Sequence, residues 1–124
     1  MLTDIPVLIV VDRAYLALDL ADAVEQLNGL VIGPVGTVTD ALQILDSQEV
    51  AAAILDYELP AGDAAPVVRA LLRKNVPFVI HTGVPVSREI LALRPKTPVL
   101  MQPVRPEDVA TILAHEVIKA ELIR

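Results

Sequence analysis

Residues 51–60 read Ala-Ala-Ala-Ile-Leu-Asp-Tyr-Glu-Leu-Pro, and this segment decides the fold. Its five small or aliphatic residues predict a short buried strand that ends at Asp56. The Pro60-Ala61-Gly62 sequence that follows is typical of a loop. In open α/β sheets, functional side chains lie at the carboxyl ends of buried strands. Asp56 is therefore the first candidate for a functional residue.

Three further aliphatic runs also end in polar residues. These are residues 7–11 before Asp12, residues 76–80 before His81 and Thr82, and residues 98–101 before Gln102 and Pro103. The carboxyl ends of adjacent parallel strands meet at one edge of a sheet. We therefore expect two carboxylates, a hydroxyl and an amide to lie together at that edge.

Short aliphatic runs alternate with longer amphipathic ones along the whole chain. Alternation at this spacing predicts βαβ units with right-handed crossovers and a parallel sheet. The predicted strands are residues 5–11, 30–35, 51–55, 78–82 and 99–101, and the predicted helices are residues 14–27, 39–46, 65–74, 87–93 and 106–123.

The composition restricts the class of protein. The 124 residues suit one domain with a sizeable core. Aliphatic residues dominate that core, with one Phe and no Trp, which suits a parallel sheet covered on both faces. No apolar run reaches the roughly 18 residues that span a bilayer. The net charge of −6 argues against nucleic-acid binding, and the absence of Cys excludes disulfides and favours the cytoplasm.

The chain resembles the receiver domain of bacterial response regulators, the CheY-like family, over nearly its whole length. The resemblance is carried by the segment from Ile54 to Pro60, by Asp12 after the first strand, by Thr82 after the fourth, and by Pro103 after the fifth. It implies a five-stranded parallel sheet in the order 2-1-3-4-5 with helices on both faces. Since the last helix is expected to run to Arg124, we expect one receiver-like domain, residues 1–124, without an output domain.

The same resemblance implies a phosphorylation site. Asp56 would accept a phosphoryl group from a histidine kinase or phosphotransfer protein, and the module would signal to a downstream protein target rather than act as an enzyme. Mg²⁺ would be held by Asp12, Asp56 and the backbone carbonyl of Glu58. Thr82 would turn towards the phosphoryl group, and Gln102 would offer it an amide donor.

Three positions depart from the family pattern. Val11 stands where the first acid of an acidic pair is expected, Gln102 replaces a lysine, and Val99 replaces the switch aromatic. A neutral amide donor is weaker than a charged one. We therefore predict weak Mg²⁺ binding and slow or undetectable phosphorylation. The resemblance also implies a cis peptide bond between Gln102 and Pro103.

Several residues have a second interpretation. Asp56 is also a common turn-forming residue, and Asp12 could cap the first helix. Arg13 could place its guanidinium over the carboxylates and replace the metal, or it could be solvated. His81 is more typical of a packed or capping residue than of a proton relay.

Three functions remain open from the sequence. The first is a single-domain response regulator that is phosphorylated at Asp56. The second is a pseudo-receiver that works only as an interaction or dimerisation module, which Val11 and Gln102 favour. The third is a flavodoxin-like binder of a small cofactor, which the scarcity of aromatic residues disfavours.

The last predicted helix is a candidate partner-binding surface. On a helical wheel Val109, Ile112, Leu113 and Ala120 point towards the sheet. The opposite side carries Thr111, His115, Ile118 and Leu122, which we call the α5 stripe. An isologous homodimer would bury its two large aliphatic side chains twice.

Overall fold

The computed structural model describes residues 1–60, 62–93 and 97–123, and in them strands and helices alternate as the sequence predicts. Every predicted element is present, with ends within two residues of the predicted ones. Ala61, in the predicted loop, and Arg124, at the predicted end of the last helix, lie outside the described residues. The strands of the main sheet are β1 (Pro6–Val10), β2 (Leu30–Val35), β3 (Ala52–Leu55), β4 (Phe78–Thr82) and β5 (Val99–Met101). The helices are α1 (Ala14–Gln26), α2 (Val38–Ser47), α3 (Ala65–Arg73), α4 (Arg88–Leu93) and α5 (Pro106–Leu122).

The five strands form one parallel sheet in the order β2-β1-β3-β4-β5. This is the predicted order 2-1-3-4-5, so the fold prediction is confirmed. Val10 pairs with Leu55, and Leu55 pairs with Ile80. The first and third strands therefore end at the same level, and the fourth continues two residues further, to Thr82, so the residues that follow β1 and β3 lie beside the last residues of β4.

Each face of the sheet has its own hydrophobic core, because successive side chains of a strand point to opposite faces. Leu8, Leu55 and Ile80 belong to the core that also contains side chains of α2 and α3. Their neighbours Ile9, Ile54 and Val79 belong to the core beneath α1 and α5. Strands buried on both faces read as continuous aliphatic runs, which explains why the sequence shows no polar alternation in them.

One element was not predicted. Glu58–Leu59 and Gly62–Asp63 form a short antiparallel hairpin between β3 and α3, separate from the main sheet. Gly62 has φ +142°, a conformation that residues with a side chain rarely adopt. Two-residue strands are too short to show a hydrophobic period, so the sequence indicated only a loop here.

The ends of the helices follow local rules, with one correction. Asn28 ends α1 in the left-handed region at φ 67°, and the Thr37 hydroxyl accepts a hydrogen bond from the Asp40 N–H at the start of α2. Arg13 is the N-cap residue of α1, and no side chain caps this helix. The alternative role of Asp12 as a helix cap is therefore wrong.

Two X-Pro bonds are cis in the described residues. The Gln102–Pro103 bond is one, as the resemblance implied. The Gly33–Pro34 bond, within β2, is the other and was not expected.

The α5 prediction is partly corrected. Val109 and Leu113 are buried as predicted, but Ile112 and Ala120 are only half-buried, and the buried face also contains Ala110, Ala114 and Val117. On the α5 stripe Thr111 is half-buried, whereas Ile118 and Leu122 are 46% and 79% exposed. Within the described chain no helix is long and apolar enough to cross a membrane.

Candidate functional site

The candidate site lies where β1, β3, β4 and β5 end. Because Val10, Leu55 and Ile80 are level across three strands, the next residues, Val11, Asp56 and His81, form the following row. The Asp56 N–H donates to the Val10 carbonyl (2.9 Å), and the Gln102 N–H donates to the Thr82 carbonyl (2.8 Å). These backbone bonds fix the strand ends relative to one another.

Asp56 is nearly inaccessible, with 4% of its surface exposed. Its Oδ1 accepts a hydrogen bond from the Glu58 N–H at 3.1 Å. This is the turn-forming role that any Asp can play at a strand end. It uses one oxygen, so Oδ2 remains for other partners.

Oδ2 of Asp56 receives two donors. Arg13 Nη2 lies 3.4 Å away and Gln102 Nε2 lies 3.5 Å away. The same Arg13 Nη2 also donates to Gln102 Oε1. Asp56, Arg13 and Gln102 therefore form a closed triangle, which we call the Asp56 triad.

Gln102 is held by β4 as well as by the triad. Its Nε2 donates to the His81 carbonyl at 3.2 Å. A side chain at Gly83 would place its Cβ 3.3 Å from Gln102 Oε1, tighter than ordinary van der Waals contact. Glycine at position 83 therefore leaves room for the amide group.

Asp12 and Glu58 are exposed, unlike Asp56. Asp12 lies against the turn after β2, where a Cβ at Gly36 would approach Asp12 Oδ1 to 3.1 Å. Within the described ranges, no three His, Asp or Glu side chains cluster in a way that could hold a metal. The expected Mg²⁺ ligands are two carboxylates and one backbone carbonyl, so this set stays a prediction.

Thr82 is buried, and its hydroxyl is engaged locally. Oγ1 accepts from the Val84 N–H and donates to the Val84 carbonyl, both at 3.2 Å. These contacts form a turn at the start of the β4–α4 loop. The Thr82 hydroxyl would have to leave this turn to reach a phosphoryl group.

His81 is packed, as its sequence context suggested, but in an unusual way. It is 1% exposed, and neither ring nitrogen has a hydrogen-bond partner within the described part of the chain. Burial lowers the pKa of His81 below its ordinary 6.5. The Asp56 carboxylate raises this pKa in part, and the Arg13 guanidinium lowers it. His81 is thus within electrostatic reach of the Asp56 triad.

A second polar network was missed from the sequence. The Tyr57 hydroxyl lies 3.3 Å from Asp63 Oδ2 and 3.4 Å from Ser87 Oγ. Asp63 Oδ1 accepts from the Ala65 N–H at the start of α3, and Ser87 Oγ accepts from the Ile90 N–H in α4. The residue after Asp56 therefore links the first turns of two helices. No local sequence pattern around Tyr57 indicates this network.

All the predicted site residues lie at or just beyond the carboxyl edge of the sheet. Direct side-chain contact joins Asp56 to Gln102 and to Arg13. Thr82 contacts Gln102 through the backbone, and Glu58 contacts Asp56 through its N–H. The roles assigned to these residues remain predictions.

Comparisons with known proteins agree on the architecture. No family model matches the sequence, and no curated protein matches it. Among solved structures, the chain is similar to a response regulator receiver domain protein (CheY-like) from Methanospirillum hungatei JF-1, with a TM-score of 0.84 at 20% identity over 98% of this chain and 100% of that one. A receiver domain (CheY-like) from Methylobacillus flagellatus gives a TM-score of 0.77 at 21% identity over 93% and 99%.

One similar structure has a higher sequence identity. The solution structure of SdrG from Sphingomonas melonis Fr1 is 32% identical, with a TM-score of 0.77 over 95% of this chain and 99% of that one. An identity of 32% over nearly the full length of both chains indicates a common family and not only a common fold.

Proposed function

Because the chain belongs to the CheY-like receiver-domain family of response regulators, we propose that it is a response regulator receiver that is phosphorylated at Asp56, weakly, and signals by protein contact. The observation that carries this proposal is the Asp56 triad. It places a carboxylate at the carboxyl end of β3 with one oxygen fixed by the Glu58 N–H and the other facing two donors.

The proposed reaction is a phosphoryl transfer to a carboxylate. Asp56 Oδ2 attacks the phosphorus of a phosphohistidine or a small acyl phosphate. An O–P bond forms, the bond from phosphorus to the leaving nitrogen or oxygen breaks, and the leaving group takes the electron pair. The site gains negative charge, since the product carries phosphoryl oxygens in place of a carboxylate.

Mg²⁺ suits the oxygen donors present, because it prefers carboxylate and carbonyl ligands and keeps several waters. Asp12, Asp56 and the Glu58 carbonyl would hold it, and it would supply positive charge for phosphoryl oxygens. Val11 offers no ligand, and Arg13 already pairs with Asp56 Oδ2. Both features support weak binding.

The proposed partners are proteins. A histidine kinase or phosphotransfer protein would supply the phosphoryl group in the cytoplasm, and a downstream target would read the result. The exposed apolar side chains of α4, β5 and α5 support a contact surface on that side: Leu91, Leu93, Met101, Ile118 and Leu122. Self-association through the α5 stripe (Thr111, His115, Ile118, Leu122) is part of the same proposal.

A second candidate function is a phosphorylation-independent pseudo-receiver. The observation that favours it is also in the Asp56 triad, since a guanidinium already neutralises the candidate acceptor. In this case, the same contact surface would bind its partner in one permanent state.

Intact-mass analysis after incubation with acetyl phosphate and Mg²⁺ separates the two functions. The response regulator gains the mass of one phosphoryl group, and Asp56→Asn does not. Asp46→Asn, which changes an exposed carboxylate on α2, is the matched control and labels like the wild type. If neither acetyl phosphate nor a phosphorylated histidine kinase labels the wild type, the pseudo-receiver function replaces the first.

A further inference from the structure

Arg13 has hydrogen-bonding capacity that the resting site does not use. A guanidinium carries five N–H donors in a planar fork. In the described part of the chain, both contacts of Arg13 with the triad are made by Nη2. Nε and Nη1 have no such contact there, and the side chain is 60% exposed. Arg13 can therefore meet further oxygens without leaving its place above Asp56.

Gln102 is suited to Arg13 in a way that a lysine is not. Its amide presents Oε1 to the guanidinium and Nε2 to Asp56. A lysine at this position would present only donors and a second positive charge, which would repel Arg13. The neutral amide thus lets an arginine from the β1–α1 junction occupy the space beside the acceptor oxygen.

The charges at the site also require a cation. Asp56, Asp12 and Glu58 are all carboxylates at the same edge, and Arg13 is the cation that pairs with Asp56 within the described ranges. A phosphoryl group on Asp56 adds negative charge and three strong acceptor oxygens. Guanidinium groups match phosphate geometry with two parallel hydrogen bonds.

We propose that Arg13 is the cationic ligand of the phosphoryl group on Asp56, in place of the lysine that Gln102 replaces. The inference rests on the proposed phosphorylation of Asp56 and names the residue that binds its product. Arg13 pairs with Asp56 Oδ2 at rest and transfers its hydrogen bonds to the phosphoryl oxygens once the group is attached.

Fluoroberyllate, which mimics a phosphoryl group on a carboxylate, tests this assignment. Its affinity in the presence of Mg²⁺ is measured by NMR titration for the wild type, Arg13→Ala, Arg13→Ala/Gln102→Lys and the matched control Arg73→Ala, which removes an exposed arginine from α3. Arg13→Ala is expected to bind about ten- to a hundredfold more weakly, the effect of losing charge-assisted hydrogen bonds. The Gln102→Lys change should recover most of that loss, and Arg73→Ala should bind like the wild type.

Two outcomes would overturn the assignment. If Arg13→Ala binds fluoroberyllate more tightly than the wild type, Arg13 only blocks Asp56 and does not bind the phosphoryl group. If the affinity is unchanged, Arg13 is a solvated residue. A wild type that does not bind fluoroberyllate, beside an Arg13→Ala/Gln102→Lys variant that does, also excludes Arg13 as the ligand. The absence of binding in every variant would instead refute the proposed function itself.

Discussion

The two halves of the carboxyl edge differ in how they are built. The acceptor half, at the ends of β1 and β3, keeps the carboxylates Asp12 and Asp56 of the family pattern. The relay half, formed by β4, β5 and the residues that follow them, has Val99 and Gln102 in place of an aromatic residue and a lysine. Its Thr82 hydroxyl is bonded to the backbone of Val84.

Under the proposed function, this difference predicts that phosphoryl acceptance and signal output are separable in this chain. An acceptor needs a carboxylate oxygen that the backbone does not bind and positive charge nearby, and Asp56 Oδ2 and Arg13 supply these. A relay needs a side chain that moves when a phosphoryl group is attached. Val99 has no polar group with which to respond to that group. The Tyr57 network joins the acceptor strand to α3 and α4 and offers another connection.

Restoring the family residues should produce the largest change. We expect Val11→Asp/Gln102→Lys to raise Mg²⁺ affinity and the rate of Asp56 labelling at least about tenfold, the factor that 1.4 kcal/mol represents. The new acid adds a ligand, and the lysine adds charge and repels Arg13 from Asp56. Isothermal titration with Mg²⁺ and time-resolved mass analysis with acetyl phosphate measure the two effects.

The single variants are the controls. Val11 is 3% exposed, so Val11→Asp alone should lower the free energy of unfolding, and Mg²⁺ should recover part of the loss. If the wild type already labels as fast and binds Mg²⁺ as tightly as the double variant, the departures at Val11 and Gln102 do not weaken the site.

His81 lies on β4, in the row that also contains Asp56, and should give the next largest effect. Its pKa is lowered in the folded state by burial, so the unfolded chain, with a His pKa near 6.5, takes up a proton more readily. This contribution to stability is fully present above pH 6.5 and is lost as the pH falls below it. The free energy of unfolding should therefore fall through this group as the pH is lowered from 7 to 5.5.

His81→Leu tests the pH effect by removing both unpartnered ring nitrogens. Urea unfolding at several pH values should show a shallower loss of stability below pH 6.5 than in the wild type. His115→Gln is the matched control, because His115 is exposed, and it should keep the wild-type slope. Equal slopes for all three proteins would show that His81 does not remain neutral in the folded state.

The acceptor half was predictable from the sequence, and the packing around it was not. A strand end places a carboxylate at the edge of the sheet whatever its neighbours are, so Asp12 and Asp56 were identified from runs of aliphatic residues. The contact between Arg13 and Gln102 joins residues far apart in the chain, and it depends on the rotamers of two long side chains. The sequence therefore left Arg13 with two interpretations.

His81 and Tyr57 show the same limit of prediction from sequence. The alternation along β4 places His81 on the α1 and α5 face, but only the sheet register puts it level with Asp56. The bridge from Tyr57 to Ser87 needs the β4–α4 loop to return beside the hairpin, which no local pattern specifies. Helices and strands follow local periodicity, whereas these contacts follow from tertiary packing.

Removing the Tyr57 hydroxyl should have a smaller effect. Tyr57→Phe loses one hydrogen-bonding link between Asp63 and Ser87, so the free energy of unfolding should fall by about 0.5–1.5 kcal/mol. If the network is the relay, fluoroberyllate should shift the amide signals of α4 in the wild type and less in the variant. Tyr15→Phe, at an 88% exposed position, is the matched control and should change neither quantity. Identical α4 shifts in Tyr57→Phe and the wild type would exclude this relay.

Substitutions in the α5 stripe should give the smallest effect. They test whether the partner-binding surface beside the relay half includes α5. Ile118 and Leu122 are exposed on α5, and burying both in an isologous dimer would contribute roughly 1.5–3 kcal/mol for each fully buried side chain before the entropic cost of association. We expect weak wild-type self-association in sedimentation velocity across a concentration series, and a monomer for Ile118→Asp/Leu122→Asp. Leu18→Asp, which changes an exposed leucine of α1 outside the stripe, should associate like the wild type. If the wild type is monomeric at every accessible concentration, with and without fluoroberyllate, the stripe does not bind a second copy of this chain. A contact through α5 would then have to be made with a different protein.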